Sequence, residues 1–263
     1  MDNKSELLSV ALEAVKAAEA VIFKYLKTGF STELKADLSP VTIADKEAEA
    51  IIRQTITEHF PDHTFFGEEG GTVSLENHRG YTWIIDPIDG TKNFVRRNPL
   101  FGTLLALMHD GELVIGITNM PLFNELMYAE KGQGAFLNDQ PVRVTEITSL
   151  DDAYLSHGSL KYFVELDQAS TLLKLASEVR QARGIGDVWS YHLLAQGKID
   201  IMIEPKCKLW DIAASKVIVE EAGGKMTQLD GQPIGAHTTS AVATNGKLHA
   251  TIVNQFGSST AFS

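Results

Sequence analysis

Apolar and polar positions along the chain change period more than once. From about Ser5 to Lys27, residues Leu8, Ala11, Leu12, Val15, Ala18, Ile22 and Leu26 recur at helical spacing, and Gly29 follows as a stop. Lys35 to Pro40 reads as a loop. A second helix is expected over Thr42 to His59, with Ala44, Ala48, Ile51, Ile52 and Ile56 on one face and Pro61 ending it. Short apolar runs then take over. Phe65-Phe66, Tyr81 to Ile85, Phe101 to His109, Leu113 to Thr118, Glu125 to Ala129, Ala135 to Leu137 and Val142-Arg143-Val144 read as strands. Thr72 to Gly80 is a loop before the central run, and His109-Asp110-Gly111 is a hairpin turn. The first part of the chain is therefore expected to be α+β, built on an antiparallel sheet.

The later part alternates. Ala153 to Ser156 reads as a strand, Asp167 to Val179 as a helix capped by Asp167, and Gln181-Ala182-Arg183 as a short strand. A helix over Val188 to Gln196 stops at Gly197, and Ile199 to Ile203 is a strand. A helix from about Asp211 to Ala222 ends at Gly223-Gly224, and strands near Lys225 to Leu229 and Ala241 to Thr244 close the chain. Such alternation argues for an α/β lobe. The polar stretch Glu146 to Asp152 is the candidate boundary, dividing residues 1–146 from 147–263.

Composition narrows the function. The 263 residues suffice for a large core, and 44% hydrophobic with 22% charged residues is ordinary for a soluble globular protein. A formal charge of −11 lacks the basic footprint of nucleic-acid binding. No apolar run approaches the ~20 residues that span a bilayer. The amino terminus lacks a signal-peptide profile, and the single cysteine, Cys207, fits a reducing cytoplasm, so a cytoplasmic location is expected.

The candidate chemistry lies just after the central apolar run, in Asp86-Pro87-Ile88-Asp89-Gly90-Thr91. Two carboxylates flank a stiffening proline, and Gly90-Thr91 opens a short helix, Thr91 to Arg96, whose free N–H groups suit an anion. Carboxylates beside an anion site repel the anion unless a cation intervenes, so the simplest assembly is acid, divalent metal and phosphate. Taken alone, the stretch also reads as an Asx-rich turn. Glu68-Glu69, at the end of a strand and before Gly70-Gly71, offers further carboxylate oxygens. Asp211 reads either as a helix cap or as a ligand delivered by the second lobe. Asp45, in the first turn of its helix, reads as an acid at the positive helix end.

Taken together, Glu68-Glu69, Asp86 to Thr91, and Trp210-Asp211 through Glu221-Ala222-Gly223-Gly224 resemble the inositol monophosphatase family. The resemblance extends from Pro40-Val41-Thr42-Ile43-Ala44-Asp45 to the carboxy-terminal strands. It implies a layered α-β-α-β-α sandwich, a homodimer, lithium sensitivity, and two or three Mg²⁺ ions per site. Carried over, Glu68, Asp86 and the Ile88 carbonyl would hold one ion, and Asp86, Asp89 and Asp211 a second. Glu68 would share a weaker third. A water activated by metal, Glu68 and a Thr91–Asp45 pair would attack phosphorus directly, with the Gly90 and Thr91 N–H groups on the phosphate.

Arg183-Gly184-Ile185-Gly186-Asp187, followed by Tyr191-His192-Leu193-Leu194-Ala195, resembles the histidinol-phosphate phosphatase branch of that family. The resemblance puts Asp89, Arg183, Gly186, Asp187, Glu204 and Asp211 against the substrate. It implies histidinol phosphate as substrate, in histidine biosynthesis, with inositol monophosphate as the alternative. For Asp187, a helix cap before Val188 is the competing reading. A catalytically silent relative would have lost a ligand, and Glu68, Asp86, Asp89, Thr91 and Asp211 are all present. Cys207, between Lys206 and Lys208, reads as an incidental thiol, because this chemistry needs no side-chain nucleophile.

Overall fold

The computed structural model describes residues 4–34, 40–71, 74–75 and 79–257. In chain order the elements are α1 (Glu6–Thr28), β1 (Thr32–Leu34), β2 (Pro40–Thr42), α2 (Ile43–His59), β3 (Thr64–Gly67), β4 (Tyr81–Asp89) and α3 (Thr91–Val95). A run of strands follows: β5 (Gly102–His109), β6 (Glu112–Met120), β7 (Glu125–Glu130), β8 (Ala135–Leu137) and β9 (Gln140–Val142). Then come β10 (Tyr154–His157), α4 (Leu160–Glu165), α5 (Ala169–Glu178), β11 (Gln181–Arg183), α6 (Asp187–Ala195) and β12 (Ile201–Glu204). The last elements are α7 (Leu209–Glu221), β13 (Lys225–Thr227), β14 (Ala241–Thr244) and α8 (His249–Gly257).

These elements stack as helix, sheet, helix, sheet, helix. A seven-stranded sheet runs in the order β3 to β9, and a five-stranded sheet in the order β11-β10-β12-β14-β13. Period-two alternation sends neighbouring side chains into different cores. On β4, Trp83 and Ile85 pack under α1 and α2, whereas Ile84 joins the core around α6 and α7. On β12, Met202 faces α6 and α7, whereas Ile201 and Ile203 face the core with Phe163, Leu172 and Ile252 of α4, α5 and α8. Both sheets are covered on both faces, so the central strands β4, β5, β12 and β14 are buried along nearly their whole length. Each fully buried Ile or Leu side chain contributes roughly 1.5–3 kcal/mol. The helices α6 and α7, from beyond Glu146, therefore share one core with strands from before it.

Several expectations need correction. The first sheet is not wholly antiparallel, because β3 runs parallel to β4. The central strand does not stop at Ile85 but continues to Asp89, with a register shift between Asp86 and Asp89. Proline cannot donate to a ladder, and the Pro87 carbonyl is satisfied instead by the Thr103 hydroxyl at 2.9 Å. The last strand of the first sheet ends at Val142, and the Val144 N–H donates to the Ala222 carbonyl. Asp167 does not cap α5; it takes a left-handed conformation in the link between α4 and α5, and Gln168 occupies the cap. The β1–β2 hairpin and helices α4 and α8 were not foreseen. The expected loop Lys35 to Pro40 lies outside the described residues except for Pro40, and that over Thr72 to Gly80 does so in part.

Candidate active site

The bulge in β4 builds the first part of the site. Asp86 is 2% exposed, and its Oδ1 accepts the Ile88 N–H at 3.1 Å. Burial pushes its carboxyl well above the usual range, and the charges of Glu68, Asp89 and Asp211 push the same way. Asp89 is raised likewise by burial and by Asp187 and Asp211, while the bond from the Val188 N–H opposes the shift. Gly90 then has φ +79, and a Cβ there would lie 2.7 Å from the Leu100 carbonyl oxygen, so the turn into α3 requires glycine. Its carbonyl accepts from Asn93 and Phe94.

Glu68 follows β3, and its backbone N–H donates to the Ile85 carbonyl at 3.1 Å. A residue not singled out from the sequence holds this turn. Glu49 on α2, 2% exposed, accepts the N–H groups of Glu69 at 2.8 Å and Gly70 at 2.9 Å. Arg53 pairs with the same carboxylate at 2.7 Å and donates to the Gly71 carbonyl. Side chains at 67 or 70 would collide with that carboxylate, so both positions are glycine. On sequence alone Glu49 and Arg53 are an ordinary helical i,i+4 pair; the usable signal is that Glu49 adjoins the apolar stripe of Ala48 and Ile52.

Asp211 is the third residue of α7 and not its first, and its Oδ2 accepts the Lys208 N–H at 2.7 Å. It thus ties down the helix start from within the first turn. Burial pushes its carboxyl up to about 7, against the Lys208 bond and with Glu68 and Asp187 adding to the rise. Asp45 is 1% exposed and accepts both the N–H and the hydroxyl of Thr42, at 2.8 and 2.6 Å. The Thr91 hydroxyl lies 3.5 Å from Asp45 but donates to the Ile88 carbonyl at 3.0 Å. The expected Thr91–Asp45 pair is therefore the longer of its two contacts.

Some of these groups border a cavity of ≈ 520 Å³. Glu68, Asp89, Gly90, Thr91 and Asp211 line it together with Gly186, Asp187 and Glu204. Asp45, Asp86 and Ile88 are not part of its lining, and neither is Arg183, whose guanidinium donates to the Ala182 carbonyl at 2.9 Å. Asp187 does not cap α6. It has φ 50 and accepts from the Asn93 amide at 3.2 Å, while the Val188 N–H goes to Asp89. Burial raises its carboxyl, and Lys92 opposes. Glu204 ends β12 packed against Gly158, where any side chain would strike its carboxylate. Burial, Asp187 and Asp211 push it well above the usual range. Burial pushes the Cys207 thiol up as well, which leaves it unreactive.

A donor set of one buried and several partly buried, mutually repelling carboxylates fits a hard divalent cation, which would remove the repulsion. Among the described residues, no three such side chains already converge as a metal cage. Asp89 and Asp211 are instead occupied with the backbone N–H groups of Val188 and Lys208. No helix among the described residues is long and apolar enough to cross a membrane.

Comparison with known proteins identifies the family. The family profile described as "Inositol monophosphatase family" matches residues 3–261. A histidinol-phosphatase of Mycobacterium tuberculosis is 38% identical over 261 residues, covering 97% of this chain and 98% of the relative. One of Streptomyces coelicolor is 38% identical over 252 residues, covering 92% of each. Among solved structures, an IMPase of Thermotoga maritima superposes with a TM-score of 0.86 at 30% identity, covering 97% of this chain and 98% of its own. The chain belongs to the inositol monophosphatase family and is a phosphoric monoester hydrolase of that family.

Proposed function

We propose that this phosphatase is Mg²⁺-dependent and hydrolyses histidinol phosphate to histidinol and phosphate. The observation that carries the reading is one cavity bordered by two sets of partly buried carboxylates. Glu68, Asp89 and Asp211, backed by Asp86, flank the Gly90-Thr91 helix start, and Asp187 and Glu204 border the same space. When bound, two or three Mg²⁺ ions would supply Lewis-acid stabilisation and an activated water. Glu68, Asp86, Asp89, Asp211 and the Ile88 carbonyl are the groups to hold them. The Gly90 and Thr91 N–H groups orient the phosphate. Glu68 and the Thr91 hydroxyl, with Asp45 behind it, direct the attacking water in line with the leaving oxygen.

Substrate choice follows from charge. Histidinol phosphate carries an ammonium and an imidazole, and Asp187 and Glu204 are carboxylates that such groups would neutralise. The similarity to histidinol-phosphatases over nearly the whole chain supports the same substrate. Inositol 1-phosphate is the second reading, favoured by the likeness to the Thermotoga maritima IMPase. The test is phosphate release from histidinol phosphate, inositol 1-phosphate and glycerol phosphate under the same conditions. The proposal expects the highest kcat/KM on histidinol phosphate, and faster hydrolysis of inositol 1-phosphate would overturn it.

A further inference from the structure

Among the described residues, one buried side-chain polar atom of the cavity lining has no hydrogen-bond partner. Tyr191 lines the cavity from α6 and is 3% exposed, yet its buried hydroxyl has no hydrogen-bond partner. Buried polar side chains are normally satisfied, and an unpaired one is costly to keep. Two polar neighbours on the same helix, Ser190 and His192, are satisfied. The Ser190 hydroxyl contacts Ser156 at 2.8 Å and the Gly186 carbonyl at 3.0 Å. The two ring nitrogens of His192 meet Thr118 at 2.6 Å and Glu125 at 3.0 Å. Trp189 Nε1 also lacks a partner, but that ring stacks on Phe123 at 5.0 Å and does not line the cavity. Tyr191 lies one helical turn after Asp187, so the two share a face of α6, and both reach the cavity.

Glu204, Cys207, Asp89 and Asp211 all act on the Tyr191 phenol, and with burial they hold its pKa far above the ordinary value. The hydroxyl therefore stays protonated and can both donate and accept. Tyr191 lines the same cavity as Asp89 and Asp211, which flank the phosphate site, and as Glu204. That is where the alcohol portion of a phosphate ester would lie.

We infer that the Tyr191 hydroxyl is a specificity-determining contact for that alcohol portion, donating to a neutral heteroatom such as an imidazole nitrogen. The inference rests on the proposed histidinol phosphate reading and adds a division of labour to it. Glu204 and Asp187 answer the charged nitrogen, and Tyr191 answers the uncharged one. An ester whose alcohol is bare hydrocarbon leaves the hydroxyl unsatisfied and gains nothing from it.

Tyr191→Phe removes the hydroxyl and keeps the ring. The variant and the wild type are compared on histidinol phosphate and on phenyl phosphate, a ring ester with no polar atom beyond its phosphate. A neutral hydrogen bond corresponds to about a three- to tenfold loss of kcat/KM on histidinol phosphate, expected as a rise in KM. Phenyl phosphate should change less than about twofold, within what an uninvolved hydroxyl leaves. The ligand-free variant should melt at or above the wild-type temperature, because an unpaired buried hydroxyl has been deleted. Parallel losses on both esters, no loss on histidinol phosphate, or a clearly lower melting temperature would each overturn the inference. If the wild type prefers inositol 1-phosphate, the substrate reading has failed, and the same comparison on that ester against phenyl phosphate still decides the role of Tyr191.

Discussion

The Asp89 carboxylate accepts the backbone N–H of Val188 at 2.8 Å, joining positions 99 residues apart. Val188 is the second residue of α6, where a helix N–H has no partner within its own helix. A carboxylate from the bulge of β4 thus supplies the cap for the helix that carries Asp187 and Tyr191. The same carboxylate belongs to the proposed metal set, so metal binding and the start of α6 are coupled through one side chain.

Asp89→Asn separates those two roles. The amide oxygen can still accept from Val188, while one of several mutually repelling carboxylates disappears. The ligand-free variant is expected to melt at or above the wild-type temperature. Its protection by Mg²⁺ and its turnover should both fall by orders of magnitude, since a neutral amide is a poor ligand for a hard cation. Wild-type turnover in the purified variant would remove Asp89 from the site.

Glu49 should act on the site without touching substrate. Glu49→Gln replaces one accepting oxygen by a donor facing the Glu69 and Gly70 N–H groups and breaks the pair with Arg53. Stability should drop by about 2–3 kcal/mol, as for a hydrogen bond to a charged group. Mg²⁺ affinity measured by calorimetry should weaken with it, because the Glu68 turn loosens. Unchanged Mg²⁺ affinity in the folded variant would show that Glu49 serves stability alone.

How much of this was legible varies along the chain. The run Tyr81 to Ile85 reads as a strand because β-branched and aromatic residues fill it, and the structure extends that strand through Asp89. Asp-Pro-Ile-Asp carries turn chemistry, and only the pairing of Asp89 with Gly102 and the hydroxyl of Thr103 on Pro87 keep it in the sheet. Those partners are set by tertiary contacts that no local period encodes. The β1–β2 hairpin escaped for the opposite reason, since Thr32–Leu34 is exposed throughout and has no apolar alternation. Around the cavity, Asp86, Asp89 and Asp211 stand out in the sequence as candidates by motif, whereas Glu49 and Tyr191 sit on helices where a paired acid and a buried tyrosine look ordinary. Asp187, the adjacent acid, is the competing candidate for the cap of α6 in the sequence, and the cap lies in Asp89 across the fold.

The raised carboxyl of Asp211 gives a pH dependence with a definite sign. Its folded pKa of about 7 exceeds its ordinary 3.8, so between those values the folded chain holds a proton that the unfolded chain has lost. Metal-free stability should therefore fall as pH rises through that window. Mg²⁺ binding requires the ionised form, so its affinity should rise over the same range with release of a proton. Melting in chelator and in Mg²⁺ from about pH 5 to about pH 8 should show the two curves drawing apart. Curves that stay parallel would mean that no buried carboxyl titrates on metal binding.

The most direct measurement is phosphate release from histidinol phosphate by protein stripped of metal, as Mg²⁺ is titrated back. The account predicts negligible release without the ion and saturable recovery as it is restored. It also predicts a kcat/KM above that on inositol 1-phosphate at every Mg²⁺ concentration. Full activity in the presence of chelator, or no activity on histidinol phosphate at saturating Mg²⁺, would contradict it.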